Sequence, residues 1–176
     1  KGTITIETQF NEIQYGQVLL LEDGMEGDTF RYVLGRVIGK PGDKVAIKDG
    51  QLYLNDLPIN TFYGKAHIMG TTDVEEAFER LRRVNSTEWK ETIEEALRYS
   101  LEPIVLKEDE LFIVSDNWAR NSVRQTFTID RIEGIVMGYI DVRDGTENVR
   151  KLNDEELKQF KEIGEQLIET IKIENQ

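Results

Sequence analysis

The stretch Tyr32-Val33-Leu34-Gly35-Arg36-Val37-Ile38-Gly39-Lys40-Pro41-Gly42-Asp43-Lys44-Val45, followed by Asp49-Gly50-Gln51-Leu52-Tyr53-Leu54-Asn55, decides the fold of this chain. Phe30 to Ile38 is rich in β-branched and aromatic residues, which favour a pleated strand. The run stops at Gly39-Lys40-Pro41-Gly42-Asp43. Gly39 and Gly42 are read as supplying turn conformations that side chains resist, and Pro41 pre-sets one dihedral between them. Asp43 can accept local backbone N–H bonds. Lys44 to Lys48 and Gln51 to Asn55 flank Asp49-Gly50, a strong short-range signal for a type I′ hairpin.

Working outward, strand patterns continue on both sides. Thr3 to Thr8 alternates polar and apolar residues, and Gln17-Val18-Leu19-Leu20-Leu21-Glu22 is a short apolar run bounded by Gly16 and Asp23-Gly24. Leu111-Phe112-Ile113-Val114 and Gly134 to Val142 return to the strand pattern further on. Between them the character changes. Thr72-Asp73-Val74-Glu75 has the form of a capping box, with Val74, Ala77, Phe78 and Leu81 at helical spacing. Asn85-Ser86-Thr87-Glu88 opens a second helix, with Trp89, Ile93, Ala96 and Leu97 on one face. A third helix is expected after Asn153-Asp154-Glu155-Glu156, with a stripe from Leu157 to Ile171. The predicted organisation is a β core of residues 1–60 and 105–145, a helical insertion of 61–104 and a C-terminal amphipathic helix in 146–176.

Composition narrows the function. The chain has 176 residues, 39% hydrophobic and 32% charged, with a formal net charge of −12. Such a chain is repelled by nucleic-acid phosphates, so nucleic acid is set aside as a partner. Zero cysteines exclude disulfides and thiolate metal sites, and the single histidine, His67, cannot build a zinc site with none. No metal or cofactor is expected. No run reaches the roughly 18 apolar residues of a membrane span, and the chain opens at Lys1-Gly2 already in strand alternation. The expectation is either a chain trimmed at its N-terminus or a disordered start ahead of Lys1.

Three blocks together carry a resemblance. The first is Tyr15-Gly16-Gln17-Val18-Leu19-Leu20. The second is the Tyr32–Asn55 stretch with its Arg-Val-Ile-Gly-x-Pro-Gly-Asp string. The third is Phe112-Ile113-Val114-Ser115-Asp116-Asn117, then Asn121-Ser122 and Arg124, followed by Ile129 to Gly134. In order and spacing, over about residues 15 to 140, they resemble the type I signal peptidases, membrane-anchored serine proteases that remove export signals. The resemblance implies a mostly β fold: a coiled antiparallel β-sheet catalytic core with a two-helix insertion and a C-terminal helix.

It also implies a chemistry and where that chemistry fails. The family uses a serine nucleophile and a lysine base, and lysine acts as a base at neutral pH when a desolvated apolar site lowers its pKa. The lysine position, immediately before Arg-Val-Ile-Gly, is Gly35 here. Lys40 would have to reach back about 15 Å along an extended strand, so it is read as a solvated turn lysine. Ser122 matches the serine that supports the lysine. The family's serine box would lie upstream of this chain. Asp116 and Arg124 are expected to brace their loop as an ion pair. Val33, Leu34 and Val37 are expected to line a peptide groove beside Gly35.

Signal-peptidase-like proteins of Gram-positive pilus clusters share the lysine-to-glycine change. The leading expectation is an extracytoplasmic protein anchored in the cell membrane by a preceding span. It would lack the Ser/Lys dyad and bind a signal peptide or pilin-like protein during surface-protein or pilus assembly. The alternative is an active membrane-bound signal peptidase with its serine upstream and its lysine altered at Gly35. The self-cleaving cytoplasmic repressors with the same chemistry are disfavoured, because the Arg-Val-Ile-Gly-x-Pro-Gly-Asp block belongs to the exported group.

Overall fold

The computed structural model describes residues 2–80, 87–116, 118, 123–143 and 146–151. Strands dominate it. The chain divides into two units, one made of Lys1–Val37 with Thr128–Gln176 and the other of Ile38–Phe127.

In the first unit, β1 (Gly2–Glu7), β2 (Val18–Glu26), β3 (Thr29–Gly39) and β10 (Ile132–Arg143) lie in the sheet order β1-β10-β2-β3. All three pairings are antiparallel. A further strand, β11 (Thr146–Lys151), pairs antiparallel with the end of β10. The alternation of β2 and β3 has a direct consequence, because a strand sends successive side chains to opposite faces. Leu19, Leu21, Val33 and Val37 fall on one face and are buried, Leu19, Leu21 and Val37 at 0% exposure. Leu20 and Leu34, which face each other on the opposite side, are half-buried.

In the second unit, β4 (Lys44–Lys48), β5 (Gln51–Leu54), β6 (Leu57–Pro58) and β7 (Leu101–Val105) form a four-stranded sheet of order β6-β5-β4-β7. Helices α1 (Val74–Arg80) and α2 (Thr87–Leu97) lie between β6 and β7 in sequence. They are followed by β8 (Glu110–Val114) and β9 (Arg124–Thr128), which pair. The core of this unit gathers Val45, Ile47, Leu52, Leu54, Ile68, Ile93, Leu111, Phe112 and Ile113, each at most 1% exposed.

The turn chemistry explains this local order. Asp49 and Gly50 both take positive φ, 46° and 74°, as a type I′ turn demands of its two central residues. In the β3–β4 turn only Gly42 has a positive φ, 87°. Gly39 is required for a different reason from the one its place in the turn suggested. A Cβ there would stand 2.6 Å from Val45 Cγ2 and 2.8 Å from Leu106 Cδ1, so close packing excludes any side chain. Asp43 closes the turn, accepting the Lys40 N–H at 2.8 Å and the Asn55 side-chain amide at 2.9 Å.

The first helix starts one residue on from its predicted cap, and the predicted cap of the second, Asn85-Ser86, lies outside the described residues. Asp73, not Thr72, is the cap residue, accepting the Glu76 N–H at 2.8 Å, and its own N–H donates to the Thr71 hydroxyl at 3.1 Å rather than to a glutamate. Ala77 of α1 and Ile93, Ala96 and Leu97 of α2 are buried.

Three expectations change. The division falls at Val37/Ile38 and Phe127/Thr128, not at 60/61 and 104/105. The β residues 38–60 and 105–127 therefore belong with the helices. Residues 101–104, placed in the helical insertion, form strand β7 together with Val105. Thr146–Lys151, placed in the C-terminal helix, form β11 because they find an antiparallel partner in β10. The helix itself, from Asn153 on, lies outside the described residues.

Candidate functional site

Gly35 lies in β3, buried, directly opposite Leu19 of β2. Val33 stands opposite Leu21, and Leu34 opposite Leu20. The strand is held to the segment before β2 at its far end. The Val37 N–H donates to the Gln17 carbonyl at 2.9 Å, and the Gly16 N–H donates to the Val37 carbonyl at 2.8 Å.

Arg36 contributes to the same anchorage. It is 5% exposed, and its Nη1 donates to the Gly16 carbonyl at 2.6 Å. A buried cation needs such partners, so the arginine of the Arg-Val-Ile-Gly string ties the first sequence block to the second. Its role was not read from the sequence, although an arginine inside an otherwise apolar strand run is the available signal.

A side chain added at Gly35 would enter a face made by Leu19, Leu21, Val33 and Val37, all buried and apolar. That environment is the kind that lowers a lysine pKa. Glycine offers no proton-accepting group in it. Val33 and Val37 are not surface residues of a groove: they are 8% and 0% exposed and belong to the core. The β3 alternation turns their side chains inward, and of the three expected groove residues only Leu34 keeps substantial accessible surface.

Lys40 sits in the β3–β4 turn, half-buried, with its backbone N–H donated to Asp43. Ser122 lies outside the described residues.

Asp116 and Arg124 flank the β8–β9 connection, which is closed at its base by the Ser115 N–H donating to the Val123 carbonyl at 2.9 Å. Arg124 packs on two aromatic rings. Its guanidinium carbon lies 4.6 Å from the Tyr99 ring centroid and 4.9 Å from that of Trp118. The two rings meet edge-to-face at 6.5 Å. Nη1 also donates to the Trp118 carbonyl at 3.4 Å, a long bond. Burial pulls the Arg124 pKa below its ordinary value, with Tyr99 acting in the opposite sense; arginine stays charged regardless.

Asp116 is half-buried. The Ser115 hydroxyl, the Trp118 indole N–H and Arg124 Nε are buried without a hydrogen-bond partner among the described residues. Sequence reasoning missed Tyr99 and Trp118. Trp118 lies in the third block between Asn117 and Asn121, and its 2% exposure makes it a packing anchor.

The second unit also carries a cleft of about 480 Å³. Asp49, Lys65, Asp73, Glu75, Lys90 and Arg98 are among its lining residues, and Lys90 is ion-paired with Glu75. It presents both signs of charge and little apolar surface. Among the described residues no group of three or more His, Asp or Glu is placed to hold a metal ion. No described helix is long and apolar enough to cross a membrane.

The chain is similar to known proteins at three levels. Residues 2–123 match the family described as signal peptidase, peptidase S26. Proteins named "Inactive signal peptidase IA" from Staphylococcus aureus strains Mu50 and N315 are 35% identical over 60 residues, 34% of this chain. Those matches span 32% of the relatives' own length. A solved signal peptidase I from Enterococcus faecalis V583 covers 72% of this chain and 98% of its own, at 20% identity and a TM-score of 0.45. With two thirds of its length inside the family match, and with the three blocks folded as described, this chain belongs to the signal peptidase family, peptidase S26.

Proposed function

We propose that this protein is a signal-peptidase-like domain that holds peptide segments without cleaving them. It acts outside the cytoplasm, anchored to the cell membrane, as an accessory in surface-protein or pilus assembly. The observation that carries the reading is Gly35. The position that supplies the family's base is a glycine opposite Leu19, in a buried apolar face. Removing a general base typically costs about 10²–10⁴ in rate. Where groups act as one unit the loss reaches the order of 10⁶. The name "Inactive signal peptidase IA" borne by similar Staphylococcus aureus proteins supports the same direction.

Peptide is held by backbone hydrogen bonding to strand structure, the family's mode of strand addition. Of Val33, Leu34 and Val37, Leu34 is the one that keeps accessible apolar surface. Pilin-like or signal-peptide segments are the substrate class.

The test uses the full-length protein and a standard signal-peptide substrate. No turnover is expected, together with saturable binding of the intact peptide that Leu34→Asp weakens. Turnover within about a hundredfold of an active family member, more than the loss of a base allows, would sink the reading. It would restore the alternative of an active peptidase with a serine upstream.

A further inference from the structure

Met25, Phe30 and Tyr32 stand on one face of the β2–β3 hairpin. Met25 pairs across the ladder with Phe30, and Glu22 with Tyr32. Phe30 and Tyr32 are i, i+2 neighbours with ring centroids 6.5 Å apart. The three side chains are 61%, 50% and 47% exposed. Their face is opposite to the one that carries Leu19, Leu21 and Val33, and at this end of the hairpin it is exposed. Scattered apolar residues on a surface need no explanation, but a contiguous apolar patch with a polar rim marks an interaction site.

The rim here is acidic. Glu26 and Asp28 sit exposed at the tip, and Glu22 lies beside Tyr32. Arg31 and Asp23 form an ion pair with each other. Glu22, Glu26 and Asp28 form no ion pair among the described residues.

We infer that this hairpin face docks a cationic amphipathic segment of a protein partner. Met25, Phe30 and Tyr32 supply the apolar contact, and such side chains dominate binding energy when a partner covers them. The three carboxylates supply attraction for Lys or Arg at the edge, which sets orientation and encounter rate. The same carboxylates oppose an anionic lipid surface, whose negative potential they would face. None of these residues belongs to positions 33–37 of β3, although Tyr32 shares its face with Leu34.

The test uses the full chain with an amphipathic peptide of Lys and Leu as probe. Its Glu/Leu counterpart and vesicles of phosphatidylcholine or phosphatidylglycerol are run beside it. Saturable binding of the Lys/Leu peptide is expected, weakened by salt. It should fall about tenfold in the Met25→Ser/Phe30→Ser variant. Glu22→Gln/Glu26→Gln/Asp28→Asn should remove most of the salt dependence. Three results overturn the inference: no binding of the Lys/Leu peptide, equal binding of both peptides, or equal binding by wild type and the double serine variant. Vesicle co-sedimentation that disappears in the double serine variant overturns it too, in favour of a lipid contact. Both substituted side chains are exposed, so the variant is expected to melt as the wild type does. If it does not, Tyr32→Ser with Phe30 intact provides the same comparison.

Discussion

Leu19 and Gly35 stand directly opposite each other in the β2–β3 ladder, both buried, with Leu21, Val33 and Val37 around them on the same face. An ordinary side chain at position 35 would therefore compete with core residues for space.

Gly35→Trp is expected to destabilise the domain by about 3 kcal/mol or more, because overpacking a tight core forces side chains and backbone to shift. Urea unfolding measures it. A variant that unfolds at the wild-type midpoint would show that the face opens onto a groove after all.

Gly35→Lys makes a sharper test of the same environment. A lysine buried against Leu19 should have its pKa depressed by desolvation. The sign follows from linkage. Above about pH 10.4 both folded and unfolded forms are neutral and charge costs nothing. As pH falls, the unfolded chain takes the proton first, so stability is lost down to the folded pKa and is then constant. Each unit of depression costs about 1.4 kcal/mol. The melting temperature of the variant, relative to wild type, should therefore rise between neutral pH and pH 10. A pH-independent difference would mean that the ammonium reaches water.

Arg124 lies over Tyr99 and Trp118, and its hold depends on a planar guanidinium. Arg124→Lys keeps the charge and loses the stacking, so a loss of about 1 kcal/mol is expected. A double-mutant cycle with Tyr99→Ala should return a coupling of similar size. Additive effects would show that the rings merely sit nearby.

Much of this architecture is legible in the sequence. The β3 strand, the β4–β5 hairpin and the two helices each have a local signal: β-branched runs, Asp49-Gly50, and caps ahead of apolar spacing. Other elements lack one. Strand β9, Arg-Gln-Thr-Phe-Thr, buries only Phe127 fully, and β11, Thr-Glu-Asn-Val-Arg-Lys, is polar and owes its form to β10. The boundary between units falls inside β3, where no turn residue marks it. The position of Gly35 in the sequence pointed to the missing base. Its burial was not readable, because Val33 and Leu34 look alike in sequence and only the pairing with β2 decides which one faces inward.

A pH effect is expected at the start of α1. The Thr71 hydroxyl donates to Glu76 at 2.6 Å, and this bond, with Arg80 after it, holds the Glu76 pKa below its ordinary 4.5. Its contribution is complete above 4.5 and is lost as pH falls through the depressed folded value. Carboxyl titration by NMR should show Thr71→Val moving the Glu76 midpoint upward. An unchanged midpoint would assign the depression to Arg80 alone.

The division of the chain inside β3 sets an order of events during synthesis. The second unit, Ile38–Phe127, is one continuous segment. The first is interrupted, and β10 pairs with β1 and β2 across more than a hundred residues of intervening chain. Local contacts close at little entropic cost, whereas distant strands wait for their partner. At ribosomal rates of about 5–20 residues per second, β2 stands without β10 for roughly 5–20 s. In that interval Leu19 and Leu21 have no partner on their β10 side, and the second unit can complete its own core first. Pulsed hydrogen exchange during refolding should accordingly protect the Leu52 amide before that of Ile135. The nascent chain thus exposes its apolar β2 edge as a transient aggregation hazard, one that a chaperone or a slow translation pause would relieve.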